Sequence, residues 1–433
     1  MNPEFRRQLW LQFSPTRLVV LPMLLAACFA AVGVSGIDQM ASALAFTGAT
    51  LFCLLVWGMG TLASGASVLD EITERTWDQQ RMSAMQPWAM AWGKLAGASA
   101  YGWYGGAFCL LVAVPMGLAI EPPGLVLRLT LAGALVGLLL QALVIAMNLQ
   151  LAKVGGRMAR RGGLGILLFL LLWGLGPLFG MAKGPDVMWW GQAFNRLNFS
   201  LVSLALFVVC ALVAAWRSMA EVLAVRHLPW GWPALALVLT IYLAGFAPEQ
   251  HLAVFGLTGL ASCTVLTYVA LLAEPQLRPL WQRVATRLDS SQWHAALQQL
   301  PRWPTTLALA LPFAILVALT LPEEMSSPSS SWTSGEHLSW HALAVVMLLT
   351  RDCALALFLA FSPTGRRPVL GWWVLMLALY GLLPWLLHSL HSDTVLGLAQ
   401  PLLAAGTSSV IFAALHMALA LGLLRWRWRA TAP

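Results

Sequence analysis

The chain has 433 residues, 59% of them hydrophobic and 10% charged, with a formal net charge of +8. A water-soluble domain carries about a quarter charged residues. A chain this apolar cannot clothe its surface in polar groups, so the composition excludes a soluble globular fold and makes lipid the solvent. No hydrophilic stretch is long enough to fold as a separate soluble domain.

Residues 1–16 come first. Phe5, Leu9 and Phe13 recur every four residues with Arg6, Arg7 and Gln8 between them, which predicts an amphipathic helix lying on the inner leaflet. Arg6, Arg7 and Arg17 ahead of an apolar run also fit a signal peptide. That run is as long as a full span and has no clear cleavage site, so it is read as an uncleaved first helix. A bilayer core of roughly 30 Å needs about 20 apolar residues per helix. Segments of that size predict an all-α polytopic membrane protein of about twelve spans, at 17–36, 43–68, 93–120, 125–151, 163–182, 199–216, 232–248, 252–273, 304–322, 339–361, 369–388 and 397–424. Turn residues at Glu121-Pro122-Pro123-Gly124 and Pro248-Glu249-Gln250-His251 predict tight hairpins between close-set spans. The outer loop 322–338 is Ser-rich.

Cys28, Cys53, Cys109, Cys210, Cys263 and Cys353 sit singly in apolar runs and form no CxxC pair, so they read as small buried hydrophobes. Gly93/Gly97, Gly133/Gly137 and Gly176/Gly180 have the spacing that permits close helix packing. Trp189, Trp190, Trp230, Trp232, Trp303, Trp426 and Trp428 fall near span ends and read as interfacial belts.

With the N-terminus in the cytoplasm, Lys and Arg gather in the inner segments, while Arg128, Lys183, Arg196 and Arg351 lie elsewhere. The outer loops hold Asp38, Glu121, Asp186, Glu249, Glu323, Glu324, Glu336 and Asp393. This sorting obeys the positive-inside rule and predicts an even span count with both termini cytoplasmic. The basic excess is therefore a topology signal with some pull on anionic lipid, not a nucleic-acid footprint. Span order suggests a six-plus-six pseudo-repeat. The first half is 17–220 with a long cytoplasmic segment 69–94; the second is 221–433 with a cytoplasmic segment 274–303.

Segment 69–94 is unusually polar for this chain, running Asp70-Glu71-Ile72-Thr73-Glu74-Arg75-Thr76-Trp77-Asp78-Gln79-Gln80-Arg81 and on to Gly93-Lys94. At helical spacing Glu71, Glu74, Asp78 and Arg81 share a face that could dock a soluble partner; the plain alternative is a solvated loop. These residues resemble the permease subunits of ABC-2-type ABC transporters. Many of those carry a Glu-rich stretch after the second span, approximately E-R-E-x-G-T, and a Gly-Lys opening the third. Glu71, Glu74, Arg75-Thr76 and Gly93-Lys94 stand at similar spacing, with Arg75 where glycine is usual and Met85 where proline is common. The N-terminal helix fits the same family, and loop 183–198, with Trp189, Trp190 and Phe194, resembles its short outer helices between the fifth and sixth spans. The likeness covers roughly residues 1–220.

The resemblance implies a permease moving substrate across a bacterial inner membrane on ATP hydrolysed by a separate ATPase subunit, in two copies. It implies no catalytic residue and no resident cofactor. That accords with the lack of a GxxxxGK[ST] loop to hold nucleotide phosphates. Glu71, Glu74, Arg75, Thr76, Trp77, Asp78, Arg81 and Lys94 become the candidate ATPase-docking residues, and Arg278, Trp281, Arg283 and Arg287 a second candidate docking segment. A twelve-span chain could form the whole membrane part, or pair as a homodimer.

Arg351-Asp352 falls near the middle of the tenth span, where ionisable groups are expensive and carry a functional hypothesis by default. A structural polar clamp and a substrate or ion site both fit them. His388, His391 and Asp393 form an H-x-x-H-x-D pattern, read as an interfacial polar end and not a metal site. The rival readings of the whole chain are an ion- or proton-coupled secondary transporter and a non-transporting membrane scaffold or integral-membrane enzyme, the last of which leaves segment 69–94 unexplained.

Overall fold

The computed structural model describes all residues except 1, 36–38, 75–81, 83–84, 155–183, 226–227, 248–251, 321–334, 363–367, 389–396, 405 and 431–433. Among the described residues, ten helices are long and apolar enough to cross a membrane. This is a helical, multi-pass membrane protein. The expected fifth span, Gly176/Gly180 and most of loop 322–338 lie outside the described residues. The expected seventh span, 232–248, is only a 14-residue helix, Gly231–Ala244. At about 1.5 Å per residue it is too short to cross a roughly 30 Å core.

The chain divides into two compact units, one holding 1–187 and 193–227, the other 188–192 and 228–433. The first unit begins with α1 (Pro3–Gln12) and α2 (Pro15–Ser35). α3 (Met40–Phe52) runs through a π-helical stretch, Cys53–Met59, into α4 (Gly60–Thr73), and together they form one long span. The expected span 93–120 is two helices, α5 (Pro87–Ala98) and α6 (Ala100–Leu118), because the Ser99 hydroxyl bonds the Leu95 carbonyl at 2.6 Å where the ladder breaks. The Glu121–Gly124 hairpin is as expected, with the Leu125 amide on the Pro122 carbonyl at 2.9 Å. It leads into α7 (Pro123–Val154), and α8 (Arg196–Val222) closes the unit.

The π-helical stretch is held by α7. The Trp57 indole donates to the Gly133 carbonyl at 2.8 Å, and the Gln141 amide donates to the Val56 carbonyl at 3.0 Å. A π-turn loosens the regular ladder, and these side chains satisfy backbone groups that lipid could not. Gly137 makes room for this: a Cβ there would sit 2.6 Å from Val56 Cγ1.

Where an outer helix was expected, the described residues of 183–198 form a hairpin of β1 (Val187–Trp189) and β2 (Gln192–Phe194). Its two turn residues, Trp190 (φ 50°) and Gly191 (φ 70°), both have positive φ, the requirement of the turn whose twist matches paired strands.

The second unit contains α9 (Gly231–Ala244), α10 (Leu252–Ala273), the short surface pair α11 (Arg278–Asp289) and α12 (Trp293–Leu297), and α13 (Trp303–Thr320). α14 (Gly335–Ala360) follows, then α15 (Pro368–Leu377), a π-helical stretch Ala378–Leu382, α16 (Leu383–His388) and α17 (Gly406–Ala430). Small residues bring the helices together: Gly256 and Gly259 of α10 face Val317 and Phe313 of α13, where any Cβ would clash.

Candidate functional site

Two buried charge clusters stand out, one in each unit. The first ties the N-terminal helix to the ends of the polar segment 69–94. α1 starts cleanly: Asn2 caps it, accepting from the Glu4 amide at 3.0 Å, and Pro3 takes the first turn, where no amide partner is needed. Its polar face, not its apolar one, turns inward. Glu4 and Gln8 are buried against Gly93 and Gly97 of α5, where a Cβ would come within 2.8 Å of Glu4 and 2.5 Å of Gln8. Phe5 and Leu9 are half-buried, Phe13 meets Tyr101 and Tyr104 edge-on, and Trp10 and Leu11 carry the exposed apolar face. The reason is electrostatic. Lys94 is fully buried on α5, and an ammonium there needs carboxylates.

Those carboxylates are Glu4 and Glu71. Lys94 Nζ lies 3.0 Å from Glu4 Oε1 and pairs also with Glu71, at the end of α4. Arg7 forks onto Glu4, Nε to Oε2 at 3.0 Å and Nη2 to Oε1 at 2.9 Å, and also pairs with Glu71. The Gln8 amide donates to Glu4 Oε1 at 2.9 Å. Among the described residues, two acids and two bases thus join α1, α4 and α5.

Burial by itself would raise the Glu4 carboxyl, but hydrogen bonds from Arg7 and Gln8 and the charges of Lys94 and Arg7 outweigh it and hold it at about 2, below its ordinary 4.5. Its bonds to Glu4 push Arg7 upward in turn. A depressed carboxylate stabilises fully above the unfolded value and loses that stabilisation as pH falls through the folded one. The Glu4 contribution, about 3 kcal/mol by the energy of a tenfold proton shift, is therefore present at neutral pH and declines between about 4.5 and about 2. Thermal unfolding in detergent should show the parent losing stability across that window, and Glu4→Gln, less stable at neutral pH, losing much less.

The sequence-predicted docking residues are thus separated. Glu71 and Lys94 are locked inside the clasp, Glu74 is exposed just beyond α4, and Arg75, Thr76, Trp77, Asp78 and Arg81 lie outside the described residues. In the second candidate segment, Arg278 donates to the Trp428 carbonyl at 3.1 Å and covers the Trp428 ring. Arg287 donates to the Ala295 carbonyl at 3.0 Å, Trp281 packs on Trp303, and Arg283 is exposed.

The second cluster is built on α14. Asp352 is 0% exposed and Arg351 4%. They pair, Nε to Oδ1 at 2.8 Å. The hydroxyls of Tyr268 (α10) and Tyr380 (in the second π-helical stretch) both donate to Asp352 Oδ2, at 2.6 Å and 2.8 Å. The Trp372 indole donates to the Asp352 carbonyl at 3.2 Å. Arg351 Nη1 lies 3.0 Å from His416 Nδ1 on α17, and the guanidinium covers the Tyr380 ring. Sequence reasoning found Arg351 and Asp352 but missed Tyr268, Tyr380 and His416. A lone His or Tyr in an apolar run carries no periodic signal. His391 and Asp393 lie outside the described residues.

Comparison of the chain with protein-family models, with curated proteins and with solved structures gives no match.

Proposed function

We propose that this chain is the permease subunit of an ABC-2-type transporter of a bacterial inner membrane, with both termini cytoplasmic, driven by a separate cytoplasmic ATPase. The observation that carries the reading is the clasp at the root of segment 69–94. The helices flanking the segment, α4 and α5, are tied through Glu71 and Lys94, and α1 is tied to both through Glu4 and Arg7. A force applied at Glu74–Gln86 would reach three helices together instead of bending one loop. The sequence supplies no phosphate-binding loop of its own, so ATP would be hydrolysed on the partner. A second reading, an ion- or proton-coupled carrier, is favoured by the charged cluster on α14.

The test is affinity purification of the solubilised protein from its native membranes, read by mass spectrometry, beside a Glu74→Lys variant. Glu74 is exposed and outside the clasp, so the variant should fold. Co-purification of an ABC ATPase with the parent, reduced several-fold in the variant, is the expected result. A folded parent that brings down no ATPase would sink the permease reading and move the weight to the carrier.

A further inference from the structure

We propose that His416 is a proton-binding site that latches the middle of α17 to α14, holding it there when neutral and loosening it when protonated. The protonation state follows from donor chemistry. A guanidinium has only N–H donors and no acceptor. Arg351 Nη1 lies 3.0 Å from His416 Nδ1. The contact is a hydrogen bond only if Nδ1 holds a lone pair, so the imidazole in this arrangement is neutral, its remaining proton on Nε2. The same reasoning fixes Asp352 as a carboxylate: its two oxygens accept from Arg351, Tyr268 and Tyr380. The set is one cation, one anion and one neutral base.

A proton taken up on Nδ1 removes the acceptor and places a second cation about 3 Å from the first, in a medium that screens poorly. The contact cannot persist. Arg351 has somewhere to go. Its Nη2 lies 2.7 Å from Asp352 Oδ1 without making a well-directed hydrogen bond, and a small rotation away from His416 would complete a two-pronged grip on the carboxylate. Two arrangements of the same guanidinium, one shared with His416 and one given to Asp352, make the element bistable.

Among the described residues, the titratable groups facing the site fit this reading. From α10 comes Tyr268; from the second π-helical stretch, Tyr380; from α14, Arg351, Asp352 and the buried thiol of Cys353. Both tyrosines donate their protons to Asp352, and Asp352 and Cys353 are buried, whereas the His416 ring nitrogen facing Arg351 is an acceptor that can take up a proton. In its middle the helix contact relies on small residues, Ala344 against Ala413, with Leu348 beside them. Near the C-terminal end of α17, Trp428 packs on Phe361 at 5.7 Å and Arg427 covers the Phe358 ring at 4.8 Å. At the far end His341 bonds the Ala404 carbonyl at 3.1 Å, a bond that a protonated ring can still donate. Releasing the Arg351–His416 contact therefore loosens the middle of α17 while both of its ends stay tethered. The latch is independent of whether an ATPase drives the chain.

The test is a distance measurement between spin labels at Trp340 on α14 and Ile411 on α17, both exposed, in full-length protein lacking its other cysteines and held in lipid nanodiscs. At mildly alkaline pH a single short distance is expected. On acidification, a longer population should grow at its expense. His416→Gln, which accepts from Arg351 but takes no proton, should keep the short distance at both pH values. His416→Lys should show the longer one throughout. An unchanged distribution in the parent, or an equal shift in His416→Gln, overturns the proposal, and either result can be read even if the lysine variant fails to fold.

Discussion

A Lys94→Met variant is expected to lose about 3–5 kcal/mol of stability, the range measured when one partner of a buried ion pair is removed, and to set α1 loose. Lys94 is fully buried and serves Glu4 and Glu71 together. Without it the two buried carboxylates keep Arg7, whose own side chain is 42% exposed. Methionine fills the volume, so packing changes little and the loss is electrostatic. Detergent thermal unfolding should give the stability, and trypsin cleavage after the exposed Arg6 and Arg7 should report the release of α1. The decisive comparison is a Lys94→Met/Glu71→Met pair. It removes one charge of each sign and leaves the forked Glu4–Arg7 pair intact, so it should recover most of the loss. Equal stability of parent and Lys94→Met would mean that the clasp holds nothing.

Glu71 and Lys94 were legible in the sequence because charge is rare in this chain. Their destination was not. The partners that turn them inward, Glu4 and Arg7, lie 90 residues before Lys94 and 64 before Glu71, and no local pattern encodes a contact at that range. The N-terminal helix shows the same limit from the other side. Phe5, Leu9 and Phe13 suggest a helix with an apolar face but say nothing of where Glu4 and Gln8 go, and the structure buries both against α5. The buried ammonium on α5 is the reason. Hydropathy likewise ran through Ser99, since the residues on both sides are small and apolar, and it extended α9 past Ala244 although the helix stops at Gly245. The π-helical stretches at Cys53–Met59 and Ala378–Leu382 keep an ordinary apolar composition and leave no periodic trace. What made Arg351 and Asp352 visible was charge inside a span. The neutral groups that complete their site come from three other elements and were invisible for that reason.

The Asp352→Leu variant is expected to be more damaging still, costing about 3–5 kcal/mol for the stranded cation and also leaving the Tyr268 and Tyr380 hydroxyls without their acceptor. Asp352 gathers Arg351, Tyr268 and Tyr380 on its two oxygens, so one substitution removes the hydrogen bonds from α10 and from the π-helical stretch together. The variant should fail to accumulate as a monodisperse species in size-exclusion chromatography. Asp352→Asn keeps an acceptor for the tyrosines and loses only the charge, so it should fall between the parent and the leucine variant. The paired Arg351→Met/Asp352→Asn removes both charges and should return most of the stability. That pair also separates two roles that the same residues could play. If the cluster were only a clamp, the pair would fold and leave the helix spacing at α14 and α17 as responsive to acid as in the parent. If Arg351 is what makes a proton on His416 intolerable, the pair should fold and lose the acid-induced lengthening, because His416 would then carry its proton beside a methionine. A folded pair that still opens on acidification would assign the response to a group other than the Arg351–His416 contact.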